Sequence, residues 1–144
     1  MKETIHYLLM SNHTMVKKEL FARLRDTGMT LGQPKVLDYL NHHDGAIQKD
    51  VAAACLVDPA SLTVILRGME EKGLVRREMH EDDRRAYTVR MTDRGREYAH
   101  LIEARFRAIE EEVLSDFSPE ERETLRTLLL RLYDSQVAKR GGKC

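Results

Sequence analysis

The stretch DPASLTVILRGMEEKGLV, residues 58–75, carries helix signals at both ends and constrains the fold more than any other part of the chain. Asp58 followed by Pro59 is a helix start. The carboxylate accepts from first-turn N–H groups, and proline at the first helical position forfeits only a donor that has no partner there. Leu62, Ile65, Leu66 and Met69 then recur at helical spacing. Lys72 and Gly73 close the segment with a cation near the carbonyl end and then a glycine, so the helix runs from Pro59 to Lys72. Just before it, QKDVAAACL from Gln48 reads as a short alanine-rich helix whose small side chains allow close packing, and a tight turn at Leu56 and Val57 separates the two. Just after it the period changes. Leu74, Val75 and Arg76 begin a short strand, and Ala86 to Met91 alternates as its partner across a charged loop. A helix-turn-helix followed by a two-stranded hairpin is a winged helix-turn-helix.

The flanks of this unit are helical. Ile5, Leu8, Leu9, Val16, Leu20 and Leu24 fall near one face of a long first helix that ends near Gly28. Thr30 followed by Gln33 reads as a capping box for a second helix, with Pro34 in its first turn, an apolar stripe of Val36, Leu37 and Leu40, and an end at His42 to Gly45. Thr92 caps a helix carrying Tyr98, Leu101, Ile102, Phe106, Ile109 and Val113. Ser118, Pro119 and Glu121 form another capping box, and Leu125, Leu128, Leu129, Leu132 and Tyr133 stripe the last helix. The tail KRGGKC reads as loose. The fold class is therefore mainly α with a small β-hairpin, in one domain of 144 residues.

Composition narrows the function classes. No apolar run approaches the roughly 20 residues of a membrane span, and the N-terminus lacks the apolar core and cleavage site of a signal peptide. Cys55 sits in an apolar segment and Cys144 at the end, which is no disulfide framework, so the expected setting is the cytoplasm. Lys plus Arg and Asp plus Glu are both 24, so net charge says nothing about nucleic acid. Distribution says more: residues 76–96 hold seven arginines against five acids, residues 97–124 three bases against nine acids, and the last twenty residues five bases against one acid. A locally basic patch on a neutral chain is an electrostatic footprint for nucleic acid.

A helix-turn-helix lays its second helix in the DNA major groove. The outward set of that helix includes Ala60, Ser61, Thr63, Val64 and Arg67. Ser61 and Thr63 suit bases or phosphates, Arg67 suits a guanine or a phosphate, and Val64 and Ala60 suit a thymine methyl. In the loop HEDDRRAYTV, residues 80–89, Arg84 and Arg85 fall at or beside the tip, where an arginine enters the minor groove. Asp83 reads as an internal brace that holds an arginine by a bidentate pair. The competing readings are a solvated amphipathic helix and an ordinary charged turn.

The segment LVRREMHEDDRRAYTVRMTDRG, residues 74–95, resembles the wing of the MarR family of bacterial winged-helix regulators through Asp83, Arg85, Met91, Thr92 and Gly95. DPASLTVILRGMEEKGLV resembles that family's recognition helix, and Thr30 with Gln33 the start of its second helix. The resemblance implies a homodimer in which the first and last helices of both subunits interlock: dimerisation helices at 1–28 and 118–140, a DNA-binding lobe at 30–91 and a linking helix at 92–116. The apolar load of Leu8, Leu9, Leu128, Leu129 and Leu132 on the terminal helices agrees with it. It further implies a cytoplasmic DNA-binding regulator that reads as a repressor on a near-palindromic operator. A small apolar or phenolic ligand would be held by Tyr7, Met10, His13, Met15 and Tyr39, although any one of these also suits the core. The sequence departs from the family at Val64, where a polar residue is common, and at Leu56, where glycine is common. A winged-helix protein-interaction module without DNA binding is the alternative, favoured slightly by neutral charge and by Val64.

Other chemistry finds little support. His42 and His43 are adjacent and do not share a helix face; His100 and Glu103 lie three apart, but solvated surface histidine is the better reading, so no metal and no cofactor are expected. Cys55 reads as a buried small hydrophobe. No phosphate loop, nucleophile elbow or acid–base pair points to an enzyme, and the EEE run at 110–112 reads as a solvated helix face.

Overall fold

In the computed structural model, which describes residues 3–83 and 86–141, side-chain caps open the three helices that begin at Pro59, Asp93 and Pro119. α1 (Ile5–Arg23) ends in a single 3-10 turn (Arg25–Thr27) closed by Gly28 at φ 67°. α2 is Gln33–Leu40, and here the expected capping box is only half formed. The Gln33 Oε1 accepts from the Thr30 backbone N–H at 3.1 Å, but no side chain caps the helix, whose N-cap is Gly32. The reason is backbone geometry: Gly32 stands at φ 88°, so the chain cannot enter a helix before Gln33. β1 (Ala46–Ile47), which the sequence did not suggest, precedes α3 (Gln48–Cys55) and α4 (Pro59–Glu71). β2 (Val75–Met79) and β3 (Tyr87–Met91) follow, then α5 (Asp93–Val113) and α6 (Pro119–Arg140).

The three strands form one antiparallel sheet in the order β1-β3-β2. Val75 pairs with Met91 and Met79 with Tyr87, so the hairpin register holds over five pairs. Alternation along the strands turns Val75, Val89 and Met91 into the core. The core joins these to Leu20 and Leu24 from the end of α1 and its cap, Val36, Leu37 and Leu40 from α2, Val51 and Cys55 from α3, Leu62, Leu66 and Met69 from α4, and Ile102 and Ile109 from α5. α2 packs on α5 and α3, and the end of α1 lies on α5. Among the described residues no single helix is long and apolar enough to cross a membrane; α3 and α4 together are apolar enough but are bent by 107°, and their apolar residues line this core.

α6 is different. It has a full capping box, with Ser118 Oγ accepting from Glu121 N at 3.1 Å and Glu121 Oε1 accepting from Ser118 N at 3.0 Å, yet none of its 22 residues is buried. Arg122 ties its first turn to α5 by donating to Glu111 and to the Leu114 carbonyl. Beyond that turn the helix stands clear with Leu125, Leu128, Leu129, Leu130, Tyr133 and Val137 exposed and Leu132 half-buried. The first half of α1 exposes Ile5, Leu8, Leu9, Met10 and Met15 in the same way.

Candidate nucleic-acid interface

α4 is held at both ends by its own sequence. At the start, Asp58 Oδ1 accepts from the Ser61 backbone N–H at 3.0 Å and Oδ2 from the Ser61 hydroxyl at 2.6 Å. These hydrogen bonds favour the charged carboxylate and lower its pKa from the ordinary aspartate value, the side-chain bond contributing most. The Thr63 hydroxyl donates to the Pro59 carbonyl at 3.0 Å and accepts from Gln48 Nε2 at 3.2 Å, which pins α4 to the start of α3. Leu62, Leu66 and Met69 are fully buried, so the helix can rotate little about its axis. At 3.6 residues per turn the opposite stripe is Ala60, Val64, Arg67 and, in the last turn, Glu71, and all four are exposed. Arg67 has no ion pair among the described residues. The turn before α4 costs strain: Leu56 lies at φ 56° and ψ 42°, a left-handed conformation that glycine adopts freely and leucine does not.

The far end of α4 is fixed by a contact that sequence reasoning missed. Lys72 Nζ donates to the Gly28 carbonyl at 2.6 Å and to Gln33 Oε1 at 2.7 Å. Gln33 is 3% exposed, and its amide lies over Gly68, where an added Cβ would sit 2.9 Å from Nε2. The half capping box is thus one part of a hub that ties the end of α4 to the junction between α1 and α2. The only signal in the sequence was the pairing of glutamine with glycine and lysine at distant positions, which no local pattern reveals.

The wing is anchored at its base. Thr92 Oγ1 donates to the Gly73 carbonyl at 2.6 Å and accepts from the Gly95 N–H at 3.0 Å, so one side chain joins the end of the recognition helix to the start of α5. Asp44 accepts from the Met91 N–H at 2.8 Å and pairs with Arg96 at 3.1 Å. Arg77 pairs with Glu70 of α4 at 2.7 Å. Arg76 and Arg90 face each other across the ladder, and Glu78 lies between them at 2.9 and 3.3 Å. Arg94 lies over the Tyr98 ring at 5.3 Å. Among the described residues, Arg76, Arg77, Arg90 and Arg96 of the basic stretch are therefore matched by carboxylates. Arg84 and Arg85, the expected minor-groove residues, lie outside the described residues. Near the tip, the Ala86 N–H donates to the Asp83 carbonyl at 3.0 Å, and the bracing role of the Asp83 carboxylate stays a proposal.

The five residues expected to hold a small ligand are not brought together. Met15 lines an open groove of about 360 Å³ between α1 and α5, with Asn12, Val16, Glu19, Ile109, Glu112 and Val113. Tyr7, Met10 and His13 do not line it, and Tyr39 stacks on His43 with ring centroids 4.3 Å apart. Cys55 is buried, as its apolar setting suggested, and burial raises its thiol pKa. Glu103, spaced with His100, instead accepts from Asn41 and pairs with Arg107, and no group of three metal-ligating side chains occurs among the described residues. The EEE run is less idle than expected, because Glu111 pairs with Arg122 and Glu112 with Arg23.

Two short helices with an open outer stripe, followed by an anchored two-stranded wing, define a winged helix-turn-helix protein. Comparison with known proteins makes this specific. Residues 27–86 match the MarR family model. The uncharacterized HTH-type transcriptional regulator YdgJ of Bacillus subtilis is 33% identical over 109 residues, which are 76% of this chain and only 66% of that relative. The HTH-type transcriptional repressor Rv2887 of Mycobacterium tuberculosis is 31% identical over 85% of this chain and 88% of its own length. Among solved structures, the crystal structure of MarR superimposes with a TM-score of 0.84 at 27% identity, covering 98% of this chain and 97% of that one. The Staphylococcus aureus MepR–DNA complex gives 0.80 at 28% identity, covering 92% and 97%. The chain belongs to the MarR family of transcriptional regulators.

Proposed function

We propose that the chain is a repressor that binds a near-palindromic DNA operator as a homodimer. The observation that carries the DNA contact is the open stripe of α4, with Val64 and Arg67 outward and the helix fixed at both ends. Ser61 and Thr63 flank the stripe, and Arg84 and Arg85 extend the contact to the minor groove by resemblance to the family wing. The likeness to MepR in a DNA complex supports the same reading. The dimer is supported by α6, which has no buried residue and exposes Leu128 and Leu129, and by α1, which exposes Leu8 and Leu9. An isolated amphipathic helix gains its stability from packing, so a partner subunit is the natural cover. Two-fold symmetry then sets two recognition helices roughly 34–36 Å apart, one turn of DNA. Release of the operator by a small apolar or phenolic ligand belongs to the same proposal and rests on the family resemblance.

The test is a gel shift with the DNA upstream of the chain's own gene, repeated over a range of salt. A saturable, sequence-dependent shift that weakens as salt rises is expected. Its absence would leave the protein-interaction module as the better reading.

A further inference from the structure

The hydroxyl groups of the recognition helix are already committed. Ser61 gives its one proton to Asp58 Oδ2 at 2.6 Å, and Thr63 gives its proton to the Pro59 carbonyl at 3.0 Å while accepting from Gln48 at 3.2 Å. Neither can donate to a base edge without breaking a bond that holds the start of α4. What remains on the outward stripe is Ala60, Val64 and Arg67, with Glu71 beyond them in the last turn. Val64 is 66% exposed, and its β-branched side chain is held to one main rotamer in a helix. It is a rigid apolar knob at the centre of a surface meant for a polar groove. The one apolar feature that a base pair presents in the major groove is the C5 methyl of thymine.

We propose that Val64, backed by Ala60 one turn earlier, reads a thymine C5 methyl in each half-site, and that this methyl sets the sequence preference at that position. The inference rests on the reading that α4 enters the major groove. Arg67 lies three residues on, about 4.5 Å along the axis, and takes the neighbouring guanine or phosphate. Ser61 and Thr63 act as positioning residues that fix the helix start. Because the contact is to a methyl group rather than to thymine as such, 5-methylcytosine at the same place presents the same surface.

The test uses the full chain to enrich duplexes from a random 30-base-pair pool. The enriched duplex is then remade with deoxyuridine replacing one thymidine at a time, and affinity is read by fluorescence anisotropy at fixed salt. At one position in each half-site, loss of the methyl lowers affinity about fourfold, and roughly sixteenfold when both are removed, the effect of one methyl leaving apolar contact. A 5-methylcytosine·guanine pair at that position binds more tightly than a cytosine·guanine pair by a similar factor. Val64→Ala, a change at an exposed helix position that is present in both subunits, weakens binding to the thymine duplex by roughly the sixteenfold of double methyl loss and no longer distinguishes uracil from thymine. The inference is overturned, with DNA binding intact, if wild type is indifferent to every uracil or if Val64→Ala keeps the full uracil sensitivity. A pool that enriches no duplex would overturn the DNA-binding reading and this inference with it.

Discussion

Gly95→Ala separates two effects of opposite sign. Gly95 sits in the first turn of α5, where replacement by alanine normally favours the helix by about 1 kcal/mol. At this site an added Cβ would stand 2.0 Å from the Leu74 carbonyl oxygen and 3.0 Å from its carbon. Those are backbone atoms of the chain entering β2, and the same oxygen accepts from the Thr92 N–H at 3.0 Å. Relief needs α5 and β2 to part by roughly 1 Å, enough to loosen the Thr92 cap. Overpacking of this kind costs about 1–3 kcal/mol and a lost cap about 1 kcal/mol. After the helix gain is subtracted, the net is about 1–3 kcal/mol of destabilisation. For a chain of this length that lowers Tm by roughly 3–10 °C. Thermal unfolding followed by circular dichroism, at one fixed protein concentration because association raises Tm, measures it. A Tm for Gly95→Ala equal to or above that of the wild type would show that α5 and β2 do not pack as closely as described.

Leu56→Gly should stabilise the chain by about 0.5–1 kcal/mol, since it removes left-handed strain at φ 56° from a side chain that is nearly half exposed; urea unfolding with an unchanged slope is the check. Leu129→Glu should raise the dimer dissociation constant by roughly two to four orders of magnitude, for one leucine lost from cover in each subunit. Sedimentation velocity reads it directly, and because Leu129 is outside the buried core, the core helices should persist in the dissociated chain. Asp58→Ala should destabilise the protein at neutral pH. The folded pKa of Asp58 is lowered by its bonds to Ser61, so its contribution is complete above the ordinary aspartate value and is lost as pH falls through the folded pKa. The stability gap between wild type and Asp58→Ala should therefore narrow below about pH 4, and a gap independent of pH would show that the cap is not ionic.

What could be read from the sequence was whatever is written locally. Asp58-Pro59, Thr92 with Gly95, and Ser118-Pro119 with Glu121 are each complete within four residues, and each side-chain cap is present. The core positions of α2 and α4 followed from the helical period in the same way. What could not be read joins distant positions. Lys72 meets Gln33 across 39 residues and Asp44 meets Arg96 across 52, and neither leaves a periodic trace. β1 is two residues long and has no alternation to detect; it exists because β3 offers an edge beside Ala46 and Ile47. The five residues expected to hold a ligand are not gathered in one groove of the single chain, for a related reason. Tyr39 and Met15 were chosen by residue type, but one stacks on His43 and the other lies in the groove between α1 and α5, a pairing that only tertiary packing sets.

The charge balance gains its meaning from the same distinction. Seven arginines between residues 76 and 96 suggested a basic face, yet Arg76 and Arg90 share Glu78, Arg77 takes Glu70 and Arg96 takes Asp44. The Arg77 pair holds the wing to α4 and the Arg96 pair holds α5 to the α2–β1 loop, so each of these cations faces a carboxylate. Arg67, by contrast, stands on the outer stripe with no ion pair among the described residues. A neutral chain arranged this way should bind DNA weakly where sequence does not match, because non-specific affinity grows with the number of phosphates neutralised. Discrimination would then rest on the few groups of α4 that are left open. A salt dependence much shallower than the arginine content suggests is the corollary. Exchanging Glu78 for Gln should steepen it by releasing two facing arginines at once, with tighter binding to duplexes of any sequence.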